Sequence, residues 1–156
     1  MDTSVTIIGV VIAIIVAIPI YFSARTNAVN KTKILEIKKK FNPSNPQEFD
    51  LTESQNKKTL TIDTKNRKFI LMNFNANQQE FTFVDLKTTS SCKLVLTTEG
   101  RSDSIIKIDF EFQEKETSKK ITIPFYDFDD ERIKQISVYQ DHEFAKKWLK
   151  IIQDSI

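Results

Sequence analysis

The chain has 156 residues and a formal net charge of +2, a length that suits one domain with an additional segment. The charge is uneven, because residues 25–41 carry six cations and one acid, whereas residues 42–156 carry 17 cations and 19 acids. A nucleic-acid-binding domain needs a basic face of its own, so nucleic acid is not an expected partner. Cys92 is the single cysteine, so no intrachain disulfide can form, which fits a reducing compartment.

Residues 1–24 are predicted to be a transmembrane anchor. Val5–Phe22 carries no charge, and as a helix it spans roughly 27 Å, close to the thickness of the hydrocarbon core. The alternative is a signal peptide cleaved at Ser23-Ala24, but the residues before the apolar run include Asp2 and no cation, unlike a signal peptide. The cations that follow the anchor predict an outside N-terminus and a cytoplasmic domain. Because abundant Lys, Asn, Ile and Phe are typical of an AT-rich bacterial genome, we expect the bacterial inner membrane.

One face of this predicted anchor carries small side chains. Gly9, Ala13 and Ala17 recur every four residues, so they lie on the same side of a helix. Such a face lets two membrane helices approach closely. The sequence therefore predicts a homodimer contact here, with chance spacing of common small residues as the alternative.

Residues 25–57 are predicted to be a basic juxtamembrane segment and linker. Lys31–Phe41 has apolar residues at the spacing of a short amphipathic helix, and its cations either contact anionic lipid headgroups or act only as a topology signal. Prolines at 43 and 46 break the helix, and the polar run to Gln55 is typical of a linker. The cations of this segment that we expect at the headgroups are Lys31, Lys33, Lys38, Lys39 and Lys40.

Residues 58–156 are predicted to form a mainly β domain that ends in an α-helix. Apolar and polar residues alternate in short runs separated by turns, which indicates six or seven antiparallel strands curled into a sandwich or barrel. A short helix is expected at Asp130–Ile136. Asp141 is expected to cap the C-terminal helix, whose apolar face carries Phe144 and Trp148 and should close over the sheet.

This arrangement resembles the pleckstrin-homology-like (PH-like) superfold, and more narrowly the small bacterial PH-like domains. The resemblance rests on the opening phrase Leu60–Phe69 and on the closing helix Phe144–Leu149 with its central tryptophan. It implies an antiparallel sandwich or partly open barrel capped by one helix. Lipid-binding eukaryotic members carry a basic signature around the first hairpin, and Lys58, Lys65 and Arg67 fall on it here. The alternative interpretation is a solvated turn.

The sequence contains no constellation typical of catalysis. His142 is the single histidine, and Cys92 has no histidine near it along the chain. The acidic run Asp127–Glu131 lacks the central glycine, the ligand spacing and the terminal glutamate of a calcium loop. We therefore expect a protein that is not an enzyme, with no catalytic residues, no cofactor and no metal site.

Three functions remain open. The first is a non-enzymatic binding or scaffold module at the cytoplasmic face of the membrane, where a strand edge or the groove beside the last helix captures a protein or peptide. The second is a sensor of anionic lipid surfaces. The third is a subunit of a membrane assembly. An exposed apolar patch beside a sheet edge favours the first, and a contiguous basic face favours the second.

Overall fold

The computed structural model describes residues 30–75, 78–100, 104–128 and 136–156. The chain divides into two compact units, Met1–Pro46 and Gln47–Ile156. The predicted anchor and its small-residue face at Gly9, Ala13 and Ala17 lie outside the described residues. Within the described part of the chain, no helix is both long enough and apolar enough to cross a membrane.

The first unit contains helix α1, described at residues 30–41, where the amphipathic pattern predicts a helix. The N–H of Asn42 donates to the carbonyl oxygen of Lys38 at 2.9 Å and completes the last turn. Asn42 Oδ1 then accepts a hydrogen bond from the N–H of Asn45 at 3.2 Å. The helix ends here because Pro43 disfavours helical backbone at the residue before it.

The second unit contains seven antiparallel strands within the described residues, arranged in two sheets. Sheet A has the order β1 (Leu51–Gln55), β2 (Lys58–Asp63), β3 (Lys68–Asn75) and β4 (Gln78–Asp85). Sheet B has the order β5 (Thr89–Thr98), β6 (Ile105–Glu114) and β7 (Lys120–Asp127). One turn of 3-10 helix at Leu86–Thr88 joins the sheets. No pairing between described strands closes the two sheets into a barrel. The prediction of a mainly β domain with a C-terminal helix is confirmed.

Strand β1 lies in the segment that the sequence assigned to the linker. It pairs with β2 from Leu51 opposite Ile62 to Gln55 opposite Lys58. Hydroxyl groups reinforce this pairing, because Thr52 and Thr61 Oγ1 are 2.7 Å apart. Since Leu51 is the single apolar residue of β1, alternation offers no signal for this strand.

A two-residue turn connects β1 to β2. Asn56 and Lys57 have positive φ angles of 46° and 64°, which is the backbone of a type I′ hairpin turn. The carbonyl oxygen of Lys57 accepts a hydrogen bond from the N–H of Phe74 at 2.8 Å. The first hairpin of the domain is therefore β1–β2, and the hairpin expected as the first, β2–β3, is the second.

Helix α2 spans Ile136–Gln153 and begins five residues before the predicted cap. Asp141 therefore lies inside the helix and is fully buried, so the prediction that it caps the helix is wrong. The short helix expected at Asp130–Ile136 lies outside the described residues except for Ile136, which starts α2. The buried stripe of α2 follows the three- and four-residue spacing of one helix face: Val138, Asp141, Ala145, Trp148 and Ile152.

The core lies between the inner faces of the two sheets and this stripe of α2. Trp148 is fully buried, as predicted, and its ring centroid lies 6.2 Å from that of Phe69 and 6.3 Å from that of Phe144. Phe144 itself is only half-buried. The other large buried side chains of this core include Leu60, Ile62, Ile108, Phe110, Phe112, Phe125 and Tyr126.

Trp148→Ala should lower the free energy of unfolding by about 3–5 kcal/mol, because it leaves a large cavity between α2 and both sheets. Circular dichroism during urea unfolding of the chain measures this loss. Tyr139→Ala is the matched control, since Tyr139 lies on the same helix with 71% of its surface exposed, and it should change stability by less than about 0.5 kcal/mol. Equal stability of the two variants would contradict the docking of α2.

Candidate functional site

The predicted headgroup contacts do not form one cluster in the second unit. Lys65 and Arg67 are exposed on the β2–β3 turn, where Arg67 Nη1 donates to the carbonyl oxygen of Ile156 at 3.3 Å. Lys58 lies at the other end of β2 and is only 3% exposed. The structure therefore corrects the grouping of these three residues, because the side chain of Lys58 points into the protein.

The cations of α1 are distributed around the helix. Lys31, Lys39 and Lys40 are exposed, whereas Lys33 and Lys38 are half-buried. Their contact with lipid stays a prediction. The homodimer contact at Gly9, Ala13 and Ala17 also stays a prediction, because these residues are not described.

Lys58 takes part in a buried polar cluster with Asp141. Its Nζ lies 3.7 Å from Asp141 Oδ2, and 5.2 Å and 5.4 Å from the ring centroids of Phe125 and Tyr126. An ion pair and two aromatic faces thus surround the ammonium group, which offsets part of the cost of removing it from water. The cluster joins the start of β2 to the second turn of α2.

The β1–β2 hairpin supplies the remaining partners of Asp141. Its Oδ1 accepts hydrogen bonds from Gln55 Nε2 at 3.1 Å and from Asn56 Nδ2 at 2.8 Å. About two helical turns further along α2, Trp148 Nε1 donates to Glu53 Oε2 at 3.1 Å, and Lys147 donates to Glu53 Oε1. These contacts attach β1 to α2 and fix the rotation of the helix about its axis.

The two residues with reactive side chains have environments that suit structural roles. Cys92 is buried on β5, and burial raises the pKa of its thiol to about 12, so the thiol stays protonated at neutral pH and is a poor nucleophile. His142 is half-buried on α2, where burial and then Lys146 lower the pKa of its imidazole. Of the acidic residues in the run Asp127–Glu131, Asp127 is the one that lies within the described residues. Within the described residues, no three His, Cys, Asp or Glu side chains are grouped to hold a metal ion.

The outer edge of β5 presents backbone groups that no described residue pairs by a backbone hydrogen bond. Gln153 Nε2 donates to the carbonyl oxygen of Cys92 at 2.9 Å, so the backbone of Cys92 points away from β6. Backbone direction alternates along an antiparallel strand, and the register with β6 is regular over this part of β5. The N–H and C=O groups of Leu94 and Leu96 therefore point outward too, and no backbone hydrogen bond from another described residue reaches them.

Helix α2 forms one wall beside this edge. Its contact with β5 is more extensive than its contact with any other described strand. Residues four, seven and eleven positions before Gln153 lie on the same stripe of the helix, and these are Leu149, Lys146 and His142. The stripe that reaches β5 thus carries an apolar side chain, a cation and an imidazole. Leu94 is half-buried and Leu96 is 41% exposed on the side of β5 that faces the core.

The opposite face of sheet B carries a row of three charges across the strands. Lys93 on β5 and Lys120 on β7 lie 3.1 Å and 3.2 Å from Glu111 Oε1 on β6. Hydrogen bonds from these two lysines lower the pKa of Glu111, so its carboxylate is ionised at neutral pH. Because one carboxylate is shared by two ammonium groups, the row has a net charge of +1.

Of the four edge strands in the described part of the chain, β5 has the fewest features that prevent pairing with another strand. The edge strand β1 has five residues and is attached to α2 through Glu53, and β4 carries Glu80 and Asp85. The edge strand β7 contains Pro124 and has an extra residue, Phe125, opposite Ile108 and Asp109 of β6. Natural edge strands are usually protected by such charges, prolines and bulges. β5 has ten residues with Lys93 as its single charge and no proline or glycine, and its register shifts against β6 lie at its two ends, at Thr89/Ser91 and Thr97/Thr98.

The sequence carried part of the signal for this edge. A ten-residue run with high β-propensity, one charge and no proline is typical of a strand that pairs readily with another. The sequence predicted antiparallel strands but no site on any one of them, because an edge position cannot be identified from one strand alone. In comparisons with known proteins, no family model, no curated protein and no solved structure matches the chain.

The link between α2 and the first hairpin can be tested by a double-mutant cycle. Asp141→Asn and Lys58→Met should each lower the free energy of unfolding by about 3 kcal/mol or more, because each leaves a buried group without its charged partner. The double variant should cost at least about 1 kcal/mol less than the sum of the single variants. Urea unfolding measures all three, and additive losses would show that the two side chains do not act as a pair.

Proposed function

We propose that the chain is a membrane-anchored, non-enzymatic binding or scaffold module whose PH-like domain captures an extended segment of a protein partner at the edge of β5. The observation that carries this proposal is the outward-facing backbone of Leu94 and Leu96 beside α2, which no backbone group in the described part of the chain pairs. Residues 1–24 are the proposed anchor, and the proposed location is the cytoplasmic face of the bacterial inner membrane. These assignments rest on the uncharged run and the cations that follow it.

The order of elements supports a PH-like architecture for the second unit. Four antiparallel strands, then three antiparallel strands, then one helix are compatible with the fold that the sequence resembles. Two open sheets with a helix against them leave edge strands available, whereas a closed barrel has none. The proposed architecture and the proposed mode of binding are therefore consistent with each other.

Strand addition suits this edge physically. Leu94 and Leu96 offer two donors and two acceptors in the geometry of a β ladder, and each hydrogen bond formed there adds about 0.5–1.5 kcal/mol. An added strand also covers Leu96, which is one of the large apolar side chains exposed on the described surface. Main-chain pairing gives affinity and side-chain contacts give selectivity.

A non-enzymatic role agrees with the environments of the reactive groups. The Cys92 thiol is protonated and buried, and the His142 ring lies on the stripe of α2 that contains Gln153. We propose no cofactor for this chain.

The β5 edge can be blocked without breaking the β5–β6 ladder. Leu96→Pro removes an N–H that points away from β6, and proline is tolerated at such edge positions. We expect partner capture in cells to fall about tenfold or more, since both the donor and the strand approach are lost. Capture is measured by a photo-crosslinking side chain at Thr97 of the full-length protein, followed by purification of the crosslinked product.

Three matched controls define the result. Leu96→Thr keeps the N–H and should retain most capture, whereas Val95→Pro removes a ladder hydrogen bond and should destabilise the fold. A crosslinker at Thr122 lies on the same face of sheet B but on β7, and it should give no partner product. Capture that is equal from Thr97 and Thr122, or unchanged by Leu96→Pro, would contradict strand addition at β5.

The exposed cations of α1 favour a second candidate function, contact with an anionic lipid surface. Lys31, Lys39 and Lys40 are exposed, and each cation near such a surface contributes about 1 kcal/mol. The exposed Lys65 and Arg67 are also available, but Lys58 is buried and is left out of this proposal. A subunit role in a membrane assembly, through the predicted small-residue face of the anchor, is the third candidate.

The lipid proposal predicts salt-dependent binding of the basic segment. A peptide of residues 31–41 should bind acidic vesicles and dissociate as salt rises, because exposed charges are screened over about 10 Å at 0.1 M salt. Changing Lys39 and Lys40 to Gln should weaken binding about tenfold or more. Vesicle co-sedimentation measures both effects. Binding that is independent of lipid charge or salt would leave these residues as a topology signal alone.

A further inference from the structure

We infer that the segment captured at β5 is acidic, with an apolar, an acidic and an apolar side chain at three successive positions. This inference rests on the proposed strand addition at β5. It identifies the chemical class of the partner from the charges and apolar groups on the two sides of the edge.

The charge preference follows from the cations on both sides of the edge. Lys93 has 63% of its side chain exposed and shares Glu111 with Lys120, so the adjacent row is positive. On the α2 side, Lys150 is exposed on the helix, and Lys146, on the stripe that contains Gln153, is paired with Glu143 at 2.9 Å. β5 itself carries no acid. A basic segment would therefore meet like charges on the strand next to it, whereas an acidic segment meets opposite charges.

The alternation of the partner follows from the two faces of β5. Leu94 and Leu96 point to the core side, and Lys93, Val95 and Thr97 point to the other side, because side chains alternate along a strand. Side chains of an added strand lie on the same two faces as their neighbours on β5. Two apolar side chains of the added strand, two residues apart, therefore cover Leu94 and Leu96. The residue of the added strand between them lies on the face of β5 that carries Lys93.

Two synthetic peptides test this inference on the full-length protein in detergent micelles. One is Ser-Gly-Val-Glu-Val-Glu-Val-Gly-Ser, and the other has Lys in place of both Glu residues. Amide chemical shifts of Leu94 and Leu96 locate the binding, and titration gives the affinity. We expect the acidic peptide to bind about tenfold more tightly at low salt, with the difference shrinking as salt screens the charges.

The lysines that share Glu111 provide the matched pair of variants. Lys93→Gln should weaken binding of the acidic peptide about threefold, whereas Lys120→Gln should weaken it less, because Lys120 shares the same carboxylate but lies on the strand farthest from the β5 edge. Both variants should keep the melting temperature of the parent chain, since the two ion pairs are largely exposed.

The outcomes separate this inference from the proposed function. Equal affinity for the two peptides, or equal effects of Lys93→Gln and Lys120→Gln, overturns the acidic partner and leaves strand addition intact. A peptide-induced shift of the Leu94 amide that is lost in Leu96→Pro, which has no amide of its own at position 96, supports strand addition whichever peptide is preferred. If neither peptide shifts these amides, the inferred partner is wrong. If Leu96→Pro also leaves capture in cells unchanged, the proposed function is wrong as well.

Discussion

A buried carboxylate on the apolar face of α2 constrains the arrangement of the second unit. Asp141 occupies a position in the stripe that otherwise packs against the sheets, and an ionised carboxylate placed there alone would cost several kcal/mol. The hairpin β1–β2 offsets this cost with two amide donors and the ammonium group of Lys58. Because the hairpin must meet the helix at this point, the helix has one favourable rotation about its axis.

That rotation decides which side chains lie beside β5. With Asp141 and Trp148 directed toward β1 and the core, Gln153 reaches the backbone of Cys92 on the opposite flank of the helix. The helix therefore caps one outward carbonyl of β5 while the next outward groups remain unpaired by described residues. The interaction that completes the core also leaves a strand edge beside a helix, and this combination is the basis of the proposed binding function.

Binding through the main chain leaves little trace in the sequence. A catalytic or metal site requires particular side chains in a fixed geometry, whereas strand addition requires only a free edge and compatible neighbours. Cys92 illustrates the difference. Its thiol is the most reactive group by residue type, but burial keeps it protonated, and its backbone carbonyl is the group that reveals the direction of the β5 edge.

Local periodicity was sufficient for most of the elements, since alternation and helical spacing depend on residues close together in the chain. It predicted α1, the strands from β2 onward, and the helix with Trp148 on its buried face. It missed β1, whose stability comes from pairing with β2 rather than from an apolar pattern. It also misplaced Asp141 and Lys58, because a polar residue type does not reveal whether partners distant in sequence will surround it.

The charged residues show most clearly which questions required the tertiary structure. Lys58 and Lys65 are seven positions apart and look equivalent as exposed cations, yet one lies between two aromatic rings and the other lies on a turn. Lys93 and Lys120 belong to different strands but meet at the same glutamate. The chain's composition and periodicity decided that it forms strands and a helix. Only packing decided which charges are buried and which strand edge is open, because both depend on contacts between segments far apart in the chain.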